Sequence, residues 1–176
     1  MSSLETPRLR LREFCLGDAP FILELVNEPA WLRFIGERGV RSLADAREYL
    51  RAGPLASYAR NGFGLWLVEP AGGGEPLGMC GLIRRDELLD VDLGFAFLER
   101  HRGRGYALEA ARACLSHGFR GFGLRRIVAI TDPENAPSIA LLEKIGMQRE
   151  GSVRLRHDDK ELLLFSSVSV AEAQED

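Results

Sequence analysis

Cysteine is scarce in this chain of 176 residues: Cys15, Cys80 and Cys114 are an odd number with no C-x-x-C spacing. That argues against a disulfide framework and against a zinc ribbon, and no metal is expected. No apolar run approaches the roughly 20 residues of a membrane-spanning helix. The opening residues, Met1 to Arg8, lack an apolar signal core, so the expected location is the cytoplasm and not a membrane. An excess of positive charge is missing too. Twenty-three Lys and Arg against 26 Asp and Glu leave a formal charge of −3, which gives nucleic acid no global basic field. What is present is an ordinary globular mixture, 45% hydrophobic and 28% charged, incompatible with a disordered, collagenous or coiled-coil chain. The length suits one domain over residues 1–176, with a core large enough to need no staples.

Periodicity then divides the chain. Arg8 to Phe14 alternates polar and apolar, as a half-buried strand does. Asp18 is placed to cap a helix in which Phe21, Ile22, Leu25 and Val26 share a face, and Asn27-Glu28-Pro29 ends it. Residues 31–41 read as an ordered loop or short helix. Ser42-Leu43-Ala44-Asp45 resembles a capping box and opens a second helix through Tyr49 and Leu50. Gly62–Glu69 and Leu77–Arg84 read as strands joined by the Gly/Pro turn 70–76, and Asp90–Leu98 as a third strand. A helix over Gly105–Gly118, a strand over Arg125–Thr131, a helix from about Ala136 to Ile145 and a strand over Leu162–Val170 complete the order. The expected class is α/β (α+β): a mixed sheet with helices on both faces.

The basic residues are unevenly spread. Arg100, Arg102 and Arg104 stand beside His101 at a strand-to-helix junction, followed by Gly105, Tyr106 and Ala107. Glycines there let the backbone approach a ligand, and the first N–H groups of the helix have no internal partner. With the helix dipole they suit a pyrophosphate, and flanking arginines would add charge-assisted bonds. A dinucleotide fingerprint would need a third glycine where Leu108 stands, and a P-loop would need a G-K-[ST] that the sequence does not contain.

Arg102-Gly103-Arg104-Gly105-Tyr106-Ala107 is similar to the Q/R-x-x-G-x-G/A acetyl-CoA motif of the GNAT N-acetyltransferases. Tyr106-Ala107-Leu108-Glu109-Ala110, and Asn135 to Ser138 followed by Glu143-Lys144-Ile145-Gly146-Met147, resemble companion segments of that superfamily. Thr6-Pro7-Arg8-Leu9-Arg10-Leu11-Arg12 resembles the branch holding the ribosomal-protein alanine and serine N-terminal acetyltransferases, the RimJ/RimL type. The resemblance covers essentially the whole chain. It implies a mostly antiparallel sheet with one parallel pair, the strands ending at Leu98 and beginning at Arg125, which splay around an acyl arm. It further implies acetyl-CoA as co-substrate, with the main chain of Phe95 and Phe97 pairing the pantetheine arm and the amides of Arg102, Gly103, Arg104, Gly105, Tyr106 and Ala107 holding the pyrophosphate. Asn135 would bond the pantetheine or cap its helix, and Tyr106 would pack in the core or line the cofactor.

The implied reaction transfers acetyl to a primary amine. Leu142 stands where the superfamily commonly carries a Tyr acid, and Ser138 stands where the ribosomal-protein branch offers a Ser, as a hydrogen-bond donor to the sulfur. Candidates for the base are Asp92, on the strand before the cofactor, and His157, whose ordinary pKa is near 6.5. Trp31 is a candidate for the acceptor pocket. The expected acceptor is a protein or peptide N-terminal α-amine. The alternatives are a small amine (an aminoglycoside, a polyamine or an amino acid) or a module that binds acyl-CoA without catalysis. The expected assembly is a monomer or homodimer.

Overall fold

The computed structural model describes residues 3–156 and 158–170. Eight strands form one sheet: β1 (Ser3–Glu5), β2 (Leu9–Glu13), β3 (Leu65–Pro70), β4 (Gly78–Ile83), β5 (Val91–Phe97), β6 (Arg126–Thr131), β7 (Gln148–Arg154) and β8 (Glu161–Val168). Their spatial order is β1-β2-β3-β4-β5-β6-β8-β7. Every pairing is antiparallel except β5 with β6.

Strand alternation sends side chains to two separate cores. On one face, Trp66, Val68, Cys80, Leu82, Val91 and Leu93 pack under helix α5 (Tyr106–Arg120) and α6 (Ala136–Lys144). On the other, Leu67 and Met79 pack with α1 (Ala19–Leu25), α2 (Pro29–Phe34) and α3 (Leu43–Leu50). The mixed sheet with helices on both faces follows from this alternation. β1 and β7 lie at the two edges, and neither is visible in the sequence pattern. Every residue of β7 except Val153 is exposed, so no apolar alternation marks it.

Three local details differ from the sequence reading. Asp18 stands at the start of α1 but does not cap it: its carboxylate accepts the Cys15 N–H at 2.8 Å and takes the Arg12 guanidinium at 2.9 Å on both oxygens. The chain after α3 does not leave the helix at Leu50. One wide turn over Arg51–Leu55, which accommodates Pro54, leads into α4 (Ala56–Asn61). Ser42 caps α3 as expected, accepting the Asp45 N–H at 3.1 Å, while Asp45 turns back onto the Arg41 N–H rather than closing a reciprocal box.

The feature that matters for function is the β5–β6 pair. The two strands share register only at Val91 with Ile127 and Asp92 with Val128. Beyond that, β5 stays on β4 as far as Phe97 opposite Gly78, and β6 stays on β8 as far as Thr131 opposite Leu163. The strands therefore fork after Asp92 and leave a gap in the sheet.

Candidate active site

The fork exposes a row of main-chain groups. The Leu98 N–H donates to the carbonyl of Leu77, the residue just before β4. Antiparallel alternation then turns the main-chain groups of Leu93, Phe95 and Phe97 away from β4 and into the gap. Such an edge accepts an extended chain as an added strand. One position is partly taken: the Phe97 carbonyl accepts from Arg102 Nε at 3.1 Å and Nη2 at 2.9 Å.

At the open end of the fork lies the glycine turn. Gly103 has φ +74° and Gly105 φ +79°, a left-handed backbone that side chains disfavour. Among the described residues, no main-chain bond uses the N–H of Gly103, Arg104, Gly105, Tyr106 or Ala107, whereas the Arg102 N–H is spent on Glu99 at 3.1 Å. These five successive amides lead into the N-terminus of a 15-residue helix, the kind of position that suits an anion. A Cβ at Gly103 would meet no protein atom, so the space above it is open.

The three arginines divide. Arg100 is held by Glu24 and Glu75, and Arg102 folds back onto Phe97. Arg104 is exposed and makes no side-chain bond or ion pair among the described residues. Of the arginine side chains expected to serve the anion, Arg104 is the one left uncommitted.

The turn is braced by a pair of distant segments. The Glu109 carboxylate accepts from Thr6 Oγ1 at 2.6 Å, the Arg8 N–H at 2.9 Å and Arg8 Nε at 2.6 Å. Arg8 Nη1 donates to the Arg104 carbonyl at 2.8 Å, and its guanidinium lies 4.9 Å from the Tyr106 ring centre. Burial raises the Glu109 pKa, but the Thr6 and Arg8 bonds outweigh it and hold the carboxyl below its ordinary value. Thr6 and Arg8 thus tie the glycine turn and the start of α5 to the N-terminal strand. The sequence displays all three residues, but the contact spans about a hundred positions, and no local spacing rule reveals it.

Asn135 caps α6, its Oδ1 accepting the Ser138 N–H at 3.3 Å. Ser138 is partly buried in the first turn, and its hydroxyl makes no bond among the described residues. Leu142 is 1% exposed and belongs to the core under α6.

Asp92 sits at the branch point of the fork, 1% exposed. Val91 and Leu93 point to the α5 face, so Asp92 points to the opposite one. Both its oxygens lie 3.2 Å from Arg85 Nε. Burial pushes its pKa up to about 6, against the pull of Arg85. Trp31 is 4% exposed in the core of α1–α3, and its indole N–H has no partner among the described residues. His157 lies outside the described residues. Among the described residues no group of His, Cys, Asp and Glu could hold a metal ion, and no helix is long and apolar enough to cross a membrane.

An open strand edge thus leads to a glycine turn whose five amides have no main-chain acceptor among the described residues. The acetyltransferase (GNAT) domain family matches residues 8–148. The chain belongs to this family and is an acyltransferase. It is 31% identical over 157 residues to the uncharacterized N-acetyltransferase p20 of Bacillus licheniformis, covering 88% of this chain and 86% of that one. The acetyltransferase from Agrobacterium tumefaciens str. C58 superposes with TM-score 0.81 at 27% identity, over 96% of this chain and 95% of that one. RimL, a ribosomal L7/L12 alpha-N-protein acetyltransferase solved with coenzyme A, shares the fold with TM-score 0.80 at 19% identity, over 95% and 98% of the two chains.

Proposed function

We propose that this protein transfers acetyl from acetyl-CoA to an α-amine, with a protein or peptide N-terminus as the first acceptor class. The observation that carries the reading is the continuity of the site: open amides at 103–107, an open strand edge at 93–97, and one buried carboxylate where the strands part. Acetyl-CoA supplies the activated thioester. Gly103 to Ala107 would bind its pyrophosphate, with Arg104 free to add a charged contact. Phe95 and the Phe97 N–H would pair its pantetheine arm. The unbonded Ser138 hydroxyl would donate to the sulfur as the C–S bond breaks. Asp92 would accept the proton that the amine nitrogen gives up as its bond to the acetyl carbon forms. The fold shared with RimL supports an N-terminal acceptor as an analogy of fold.

The acidity of the acceptor decides between amines. From an α-ammonium of pKa about 8 to a carboxylate near 6, proton transfer is uphill by roughly 2.5 kcal/mol; from lysine it is uphill by roughly 6. A peptide with a free N-terminus should therefore be acetylated faster at pH 7 than its N-blocked twin carrying one lysine. Faster acetylation of the blocked peptide would reverse the assignment.

Ser138→Ala should lower kcat by about tenfold, the value of one hydrogen bond made mainly in the transition state, with little change in CoA affinity. Equal single-turnover rates in the two proteins would leave Ser138 only its place in the first turn of α6.

A further inference from the structure

We propose that α2 is a strap laid across the open end of the fork, and that Arg33 and Lys160 are positioning residues that hold it over the pantetheine arm of acetyl-CoA. This rests on the acetyl-transfer reading above and adds to it a part that grips the arm and not the phosphates.

The strap is pinned at its start to the β5 side. Glu28 stands immediately before α2, and both its carboxylate oxygens accept the Glu99 N–H at 3.1 Å. Glu99 lies just past the end of β5. Arg102 Nη2 donates to the same carboxylate at 3.5 Å.

The far end is pinned to the β6 side. Lys160, from the β7–β8 connection, pairs with Asp132 and donates to the Arg33 carbonyl at 3.5 Å. Arg33 Nη2 lies 3.7 Å from Glu134 Oε2. Asp132 follows directly on β6, and Glu134 stands just beyond it. Burial raises the pKa of Asp132, but Lys160 and the Glu134 N–H outweigh it and hold the carboxyl below its ordinary value.

One short helix therefore touches both branches of the fork, each just past the point where its strand ends. At 1.5 Å per residue α2 is about 9 Å long. A gap with room for one added strand sets its flanking strands about 10 Å apart. The helix has the length of the gap. It packs on the α1–α3 face through Trp31, the face to which Asp92 points. The two pins are unequal. Glu28 is 15% exposed and holds a main-chain group, whereas Arg33 and Glu134 are 65% and 73% exposed. Exposed ion pairs are weak, so the Arg33 end is the one that releases to admit the arm.

The test compares coenzyme A with its 3′-phospho-ADP fragment, which keeps the phosphates and lacks the arm, by calorimetry. Arg33→Gln, at an exposed position, should weaken coenzyme A by about two- to fivefold, and Lys160→Met by about tenfold or more, with the fragment unaffected. Glu48→Gln, which breaks an exposed pair between α3 and Arg51 away from the fork, should change neither. In the wild-type protein coenzyme A should slow amide exchange in α2, and the fragment should not. Equal weakening of both ligands, coenzyme A affinity unchanged in Arg33→Gln and in folded Lys160→Met, or α2 exchange indifferent to coenzyme A would overturn the strap and leave acetyl transfer standing. A wild-type protein that binds neither ligand would overturn both.

Discussion

Gly105→Val is expected to weaken acetyl-CoA binding by about 100-fold or more while the protein stays folded. Gly105 has φ +79°, and a Cβ there would lie 3.2 Å from the Arg8 nitrogen, against the residue that fixes the Arg104 carbonyl. A β-branched residue in that conformation costs about 1–2 kcal/mol or moves the chain. Either response displaces the amides of Gly105 and Tyr106. Losing two charge-assisted bonds of about 1.5–3 kcal/mol each corresponds to roughly two to four decades of affinity. The control is Gly73→Val, in the β3–β4 turn. Gly73 has φ +82° with no neighbour within 4 Å of a Cβ, so it carries similar backbone strain away from the site. Calorimetry should find Gly73→Val unchanged in CoA affinity and Gly105→Val severely weakened. Equal affinities in two folded proteins would remove the anion site from this turn.

The second large effect is expected at Asp92. As a general base it should contribute about 10²–10⁴ to the rate, so Asp92→Asn should lose that much kcat/KM. The wild-type acid limb near pH 6, below which Asp92 is protonated, should vanish with it. The stability change runs the opposite way. The folded pKa of about 6 lies above the ordinary 3.8, so the stabilising contribution of the neutral acid is fully present below about pH 4 and is lost as pH rises through 6. At pH 7 the ionised, buried carboxylate costs the fold up to about 3 kcal/mol. Asp92→Asn should therefore be at least as stable as wild type at pH 7, although inactive. A variant that retains full activity, or one that unfolds at pH 7 and not at pH 4, contradicts this role.

What the sequence could disclose follows from the range of the interactions. The strand–turn–helix around Gly103 and Gly105 is local, and its glycine spacing and helix start were legible. So were β2, where buried Leu9 and Leu11 alternate with exposed Arg10, the β3–β4 hairpin, marked by its Gly/Pro turn, and the strand and helix that follow α5, marked by a β-branched run and by Gly146 after the last helical turn. β7 was not legible because it lies at an exposed edge. The continuation past Leu50 was hidden because Pro54 ordinarily stops a helix, and here a single widened turn absorbs it. At the site, the amides could be expected from a helix N-terminus, but the fates of the arginines could not. Arg100 and Arg102 are drawn off by Glu24, Glu75 and the Phe97 carbonyl, partners that only the folded sheet brings near. The Thr6–Arg8–Glu109 brace and the Arg85–Asp92 pair depend likewise on which strands become neighbours.

The most direct measurement of the central claim follows free thiol and acetylated product together. The purified protein is mixed with acetyl-CoA and, in turn, with an N-terminal peptide panel, free amino acids and a polyamine. Acetyl transfer by this site predicts thiol release that depends on the amine, with one acetyl group added to an α-amine for each thiol freed. It also predicts that Gly105→Val abolishes both signals at a cofactor concentration that saturates the wild type. Thiol release at the same low rate with and without every amine, or product formation unaffected in folded Gly105→Val, would contradict it.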